Sequence, residues 1–448
     1  MDLKIQQMKL SKPKNENYSA IIVKINTLVP LSNCDKVQAA IIMGNQVIVG
    51  MDIKVGDIGL YFPLECQLSK AYLSANNLYR KSELNSDSTK AGYFEENGRI
   101  RCVKFRGNKS EGIFMPLESL DFIPTSNFNK YSLDVDDVFD EIDGIEICRK
   151  YVIKTKVYGP GNTNKQSKKP IESKIIENQF RFHNDTSMLY RNLHKIKPDS
   201  LIHISYKIHG TSAIASKLLC KRPLKWYERV LKFFDVNISD TQYDYIYASR
   251  KVIKNSRLNP NANHYYSSDI WKLGFEELKD YLQDGMTIYY EIAGFMPEGG
   301  SIQKLYDYGC EPGQHKKFIY RITYTNPDGK VFEFSAPQVQ QWCKKNGLTP
   351  VPELFYGNAK DCFQNLYHLI EEPVEFPDQK WEEEFLVELK DKYNDKDCYI
   401  CKNKVPEEGC VIRIEGDEFE AYKCKSEAFY RLETKMLDKG EVDIEEEN

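Results

Sequence analysis

The chain has 448 residues, 41% of them hydrophobic and 29% charged, with a net charge of −4. That length suits two or three domains, and no apolar run approaches the roughly 20 residues needed to span a bilayer. Met1 to Gln7 hold no apolar signal core, so the expectation is a cytoplasmic protein whose twelve cysteines stay reduced. The acidic balance does not exclude nucleic acid, because base is clustered at Arg149-Lys150, Lys165 to Lys174 and Lys221-Arg222 to Lys232. Acid collects from Glu371 to Glu384 and in the tail Glu441 to Glu447, which read as solvated faces or a frayed end.

Residues 18–62 alternate as strands do. The runs are Ser19 to Ile25, Val37 to Ile42, Gln46 to Gly50 and Ile58 to Phe62, with a turn at Met43-Gly44-Asn45. Short strands separated by Gly/Asn turns predict a small barrel or sandwich. Arg99 to Arg106 alternates base with apolar residues, which would leave Arg99, Arg101, Lys104 and Arg106 free to face phosphates. Such a barrel suits single-stranded or irregular nucleic acid, although a plain β-domain with an exposed basic strand has the same pattern. Leu68 to Asn97 is polar and aperiodic, a long loop with a short helix.

The Gly, Pro, Asn and Lys density from 154 to 174 reads as a linker. The division expected is a barrel over 1–150, a linker over 151–177, a catalytic domain over 178–435 and an acidic tail over 436–448. In the catalytic part, Leu201 to Tyr206, Thr287 to Ile292 and Phe318 to Tyr324 read as strands. Leu224 to Phe234, Ile270 to Leu282 and Val339 to Asn346 read as helices.

The chemistry centres on Tyr206-Lys207-Ile208-His209-Gly210-Thr211-Ser212, where a strand delivers a lysine just before a backbone-permissive Gly-Thr step. Four more elements follow in order: Ala248-Ser249-Arg250, Tyr290 to Gly294 around Glu291, Glu408 to Arg413, and Lys423-Cys424-Lys425-Ser426. Together they resemble the nucleotidyltransferase core of ATP-dependent RNA ligases. The likeness is to the nick-sealing type, whose nucleophile motif also reads Lys-Ile-His-Gly-Thr, in the branch whose OB module precedes the catalytic domain. The implied fold is α+β: an N-terminal OB-like barrel, then a nucleotidyltransferase (ATP-grasp-like ligase) domain of antiparallel sheets with flanking helices.

The resemblance implies Lys207 as the nucleophile that carries AMP. A free lysine has a pKa near ~10.4, so nearby cations must favour its neutral form. Lys423 and Lys425 lie two apart, on one face of a strand, where both can neutralise a displaced phosphate. Glu408 is implied as a ligand of Mg²⁺ or Mn²⁺, and Glu291 as a contact to ribose or metal. Arg250 is implied at the ribose and RNA end, with Arg413 in a similar part. Gly210 and Thr211 are expected at the nucleotide. His209 either contacts ribose or the RNA end, or only shapes the loop.

An aromatic on the Phe318–Tyr324 strand is expected to stack on adenine; the alignment favours Tyr320 over Phe318. Arg321 stands where the family often has Asp. The segment from Lys221 to Arg229 interleaves base with aromatics, which suits RNA contact or a packing helix equally. Cys398-Tyr399-Ile400-Cys401 lacks a second ligand pair for structural zinc, which leaves buried thiols as the default.

The implied activity is an ATP-dependent RNA ligase closing 5′-phosphate/3′-hydroxyl breaks. Its partners would be ATP, a divalent cation and broken RNA, with no membrane and no obligatory protein partner. A DNA ligase or a GTP-dependent capping guanylyltransferase would use the same lysine, and a non-catalytic RNA-binding protein is the alternative outside enzymes.

Overall fold

The computed structural model describes residues 10, 12–124, 129–152, 174–184, 186–255, 268–371 and 380–439. Most of the expected linker, the basic run from Lys165 as far as residue 173, and the acidic tail beyond residue 439 therefore lie outside the described residues.

The N-terminal part is a small β-domain. One antiparallel sheet orders the strands Val138–Phe139, Ala20–Lys24, Ile58–Phe62 and Ile113–Pro116. Beside it lies a meander of Thr27–Pro30, Val37–Ile42 and Asn45–Gly50. Strict alternation of buried and half-buried residues along Asn45–Gly50 places Asn45, Val47 and Val49 inward. The hairpin before it turns on Met43 and Gly44, both at positive φ (50° and 70°), the geometry that matches strand twist. Between strands, Ser69 caps the helix Lys70–Ala75 by accepting from Tyr72 N at 3.1 Å.

The Arg99 to Arg106 expectation needs correcting. Only Val103–Phe105 forms a strand; Arg99 is buried and Arg101 half-buried, while Lys104 and Arg106 are exposed. Arg99 is buried in a two-pronged pair with Glu65, at 2.9 and 2.8 Å, and reaches Thr434 of the C-terminal helix at 3.4 Å. Arg101 lies 3.4 Å from Asp438, and Lys104 lies 3.9 Å from Glu427. The alternating run carries the joint to the helix Glu427–Asp438.

The C-terminal part holds two five-stranded sheets. The first orders Ser187–Met188, Glu420–Lys425, Gly409–Ile414, Leu201–Tyr206 and Glu353–Asn358. The second orders Thr241–Ser249, Thr211–Lys221, Met286–Gly294, His315–Thr325 and Val331–Glu333. All pairings are antiparallel except that of Ser187–Met188 with Glu420–Lys425.

The helix Trp381–Tyr393 covers the first sheet through Phe385, Leu386 and Leu389. The helix Ala336–Asn346 packs on the second through Val339 and Cys343. It starts three residues earlier than its apolar period suggests, because Ser335 and Gln338 close a capping box, and it ends at Gly347 in the left-handed region. Ile270–Glu276 is helical, and the predicted continuation to Leu282 tightens into a 3-10 turn over Lys279–Tyr281.

Two helices of the C-terminal part grip the barrel. Lys390 of Trp381–Tyr393 donates to Asn45 Oδ1 at 2.7 Å and to Glu111 Oε1 at 3.1 Å. Burial works against the charge on Glu111, yet Lys390 and Lys109 hold its carboxyl below the ordinary range. Glu427 of the C-terminal helix lies 3.8 Å from Lys109 on the same side.

Candidate active site

The loop that carries Lys207 bridges the two sheets. Leu201–Tyr206 belongs to the first and Thr211–Lys221 to the second, so Lys207 to Gly210 cross between them. Lys207 N donates to Gly409 O at 2.9 Å, and His209 N donates to Tyr308 Oη at 2.6 Å. A Cβ on Gly210 would lie 2.3 Å from Ile292 O and 2.9 Å from Glu291 Cγ. Gly210 is therefore required by close approach to the neighbouring strand.

Lys207 projects into a cavity of about 580 Å³ between the sheets and the barrel. Its Nζ lies 2.7 Å from Glu408 Oε1, and Glu408 is 4% exposed in its side chain. Glu408 Oε2 has no hydrogen-bond partner among the described residues. Glu291, on the facing sheet, lines the same cavity and accepts from Ser212 Oγ at 3.0 Å. Lys423 and Lys425 line it from one face of Glu420–Lys425, as their spacing predicts. Burial works against the charge on Lys425, yet Glu433 at 3.2 Å, with Tyr18 and Glu408, holds its pKa well above the usual lysine value. Lys425 is thus a fixed positive charge.

Arg250 follows the strand Thr241–Ser249 and lines the cavity too. Arg413 also lines it; its Nη2 donates to Phe334 O at 2.6 Å and lies 3.3 Å from Glu415, while its buried Nε and Nη1 have no hydrogen-bond partner among the described residues. Arg321, in the position where acid was expected, makes a two-pronged pair with Glu333 and lies 4.3 Å from the Phe419 ring centroid. Phe318 and Tyr320 both reach the cavity. Phe318 is buried beside Ile208 and Tyr308, while Tyr320 is half-buried and its hydroxyl lies 3.0 Å from His183 Nδ1.

His209, Gly210 and Thr211 are not among the described residues lining the cavity. His209 is buried behind Glu408, between the rings of Tyr306 and Phe429 at 4.9 and 5.0 Å. Thr211 is buried opposite Ile292.

Other groups at the site left little trace in the sequence. Ser212 lies two residues after Gly210, so strand alternation alone could have placed it beside Glu291. Lys14, Tyr18 and Lys150 enter the cavity from the barrel. His203 lines it as well, with its pKa pushed down to about 4 by burial and by Arg413. Local pattern does not signal these, because domain packing brings them in.

Among the described residues no three His, Cys, Asp or Glu side chains converge on a metal position. A cation at Glu408 would take its other ligands from phosphate and water, as Mg²⁺ and Mn²⁺ do. The partnerless buried oxygen of Glu408 fits such a ligand set. All twelve cysteines are free thiols, Cys398 and Cys401 included.

A family model described as an OB-fold domain matches residues 19–117. The comparison with curated proteins finds no match. Among solved structures, a mutant Naegleria gruberi RNA ligase with AMP and Mn superposes with a TM-score of 0.54 at 14% identity, covering 92% of this chain and 98% of that one. A second mutant of that ligase, with ATP and Mn, gives 0.53 at 15% identity over 93% and 99%. A third, without ligand, gives 0.54 at 14% identity over 95% and 100%. This chain has the fold of an RNA ligase. The shared architecture runs over nearly its whole length, with the OB-fold domain at the N-terminal end.

Proposed function

We propose that this chain is an ATP-dependent RNA ligase that joins a 5′-phosphate to a 3′-hydroxyl, at nicks in duplex or structured RNA. The observation that carries the reading is the Lys207 amine, held at 2.7 Å by Glu408 in a cavity that also collects Glu291, Arg250, Lys423 and Lys425. Five stretches distant in sequence meet there. The Naegleria ligases of the same fold hold ATP or AMP and Mn, which supports ATP and a divalent cation as the ligands.

Lys207 Nζ attacks the α-phosphorus of ATP. A P–N bond forms, the bond to the bridging oxygen breaks, and pyrophosphate leaves. The RNA 5′-phosphate then attacks the same phosphorus, which breaks the P–N bond and leaves AMP capping the RNA. The 3′-hydroxyl attacks the capped phosphate and expels AMP.

In the resting state the Glu408 carboxylate stabilises the Lys207 ammonium, which is not nucleophilic. Drawing that carboxylate away, with Lys425 fixed as a cation nearby, favours the neutral amine. Glu408, with Glu291 opposite, would hold the divalent cation, whose contribution is Lewis-acid charge on the phosphate oxygens. Lys423 and Lys425 hold charge against the α-phosphate as the leaving group departs. Lys14 and Lys150 add positive charge at the barrel end of the cavity, where a polyphosphate tail needs it.

Incubation with labelled ATP, GTP or NAD⁺ tests the donor. Label transferred from ATP to the chain, and abolished by Lys207→Ala, supports the proposal. Label from GTP would instead make the protein a capping enzyme. Sealing assays across RNA–RNA, RNA–DNA and DNA–DNA nicks then test the acceptor, and preference for all-DNA nicks would overturn the RNA assignment.

A further inference from the structure

A large exposed apolar surface lies far from the cavity. The helix Trp226–Phe233 buries none of its eight residues. Trp226 is 78% exposed, Phe233 82% and Phe234 69%, and Tyr227, Val230 and Leu231 are each at least 41% exposed. At one turn per 3.6 residues these six side chains fall within one arc of about 160°, and Glu228, Arg229 and Lys232 fill the opposite side. The packing role open to this segment from sequence is therefore not realised within the described residues.

The helix sits at the far end of a long hairpin. Lys221 pairs with Thr241 at that end, while Ser212 and Arg250, which line the cavity, lie at the other. The nine steps from Ser212 to Lys221 span about 30 Å of strand. Docking there leaves the cavity open.

We propose that this helix lies in the interface of an anionic phospholipid surface and holds the protein at a membrane periphery. Segregation of charge and apolar surface favours lipid. An apolar stripe containing Trp and Phe, with Lys and Arg on the other face, is the pattern of a helix lying flat at the headgroup boundary. Residues 221–240 carry five cations against three anions in a chain of net charge −4. Arg222 and Lys232 are paired with Glu228 and Asp240, and among the described residues no ion pair occupies Lys221, Lys225 or Arg229. Lys225 sits over the Tyr227 ring at 5.7 Å, and Lys221 and Arg229 are available for phosphate headgroups.

Two other occupants fit less well. RNA stacking needs aromatics and cations on one face, whereas here they diverge, and Val230 and Leu231 have no π-face. A second copy would find a helix only about 12 Å long, too small for the roughly 800 Å² per partner of a stable dimer. The proposal concerns a peripheral contact: no described helix is long and apolar enough to cross a membrane.

The test is flotation of the full chain with phosphatidylcholine vesicles, with and without phosphatidylserine. In a Trp342→Phe background Trp226 is a built-in reporter, because Trp271 and Trp381 are buried whereas Trp342 is only half-buried. Vesicles with phosphatidylserine should carry the protein, shift its tryptophan emission to the blue, and release it in high salt. The double variant Phe233→Glu/Phe234→Glu should lower partitioning at least about tenfold without changing the melting temperature. Should that variant be poorly folded, quenching of Trp226 in the Trp342→Phe background by lipid brominated along its acyl chains gives the same information. No co-flotation with phosphatidylserine vesicles would overturn the proposal. So would an unchanged partition of the variant, or a variant that loses duplex-RNA affinity or a dimer while lipid binding stays intact.

Discussion

The ammonium of Lys207 lies 2.7 Å from Oε1 of Glu408, while Oε2 of the same carboxylate has no hydrogen-bond partner among the described residues. One oxygen holds the proposed nucleophile, and the other, 3.8 Å from His209 Nδ1, is where the proposal seats a cation. Glu408→Gln keeps the shape and removes the charge. It should lower transfer of AMP from ATP to the chain about 10²–10³-fold, read as label incorporated per minute. Full-rate labelling of the variant would remove Glu408 from the chemistry.

A second prediction concerns Gly210, whose Cβ would meet Ile292 O at 2.3 Å. Gly210→Ala must push the loop off the strand that carries Glu291. It should destabilise the protein by about 1–3 kcal/mol, the cost of overpacking, measured by urea unfolding, and slow adenylate transfer as well. If glycine served only to let ATP approach, stability would be unchanged and only the KM for ATP would rise.

Arg99 gives a third. Its side chain is 1% exposed and paired with Glu65, itself 8% exposed. Arg99→Ala leaves a buried carboxylate without its cation, at a cost of about 3–5 kcal/mol, and loosens the C-terminal helix from the barrel. Denaturant midpoints should fall sharply. At temperatures where the variant stays folded, RNA affinity should change little. The reverse outcome, normal stability with lost RNA binding, would restore the phosphate-facing reading of this run.

Sequence and structure agree best where chemistry is written in order along the chain. Lys207, Arg250, Glu291, Glu408, Lys423 and Lys425 follow from spacing and resemblance, and all reach one cavity. Strand and helix positions follow from periodicity, because a half-buried strand such as Asn45–Gly50 shows its period directly. Two kinds of information were not legible. Alternation in Arg99 to Arg106 reports that one face is polar, not whether water, RNA or the helix Glu427–Asp438 covers it. A Gly in Lys-x-x-Gly reports that space is short, and only the fold shows that Ile292 takes it up. Groups such as Lys14, Lys150 and His203 enter the cavity through long-range packing, which leaves no local pattern.

The last prediction uses His203, 6% exposed and 3.3 Å from Glu353, with its pKa pushed down to about 4 by burial and by Arg413. In the unfolded chain the same imidazole titrates near ~6.5. Between those values the unfolded state binds a proton that the folded state refuses, so stability falls as pH drops from about 6.5 towards 4. The difference between the two values corresponds to at most about 3.4 kcal/mol. Glu353, raised by burial, acts with the opposite sign, because its folded form holds a proton more readily than the unfolded one. His203→Gln removes the first effect and leaves the second. Urea unfolding of wild type should show stability declining from pH 7 to pH 4.5, and the variant should show a shallower decline or a slight gain. An identical decline in both would mean that His203 is not the group being protonated.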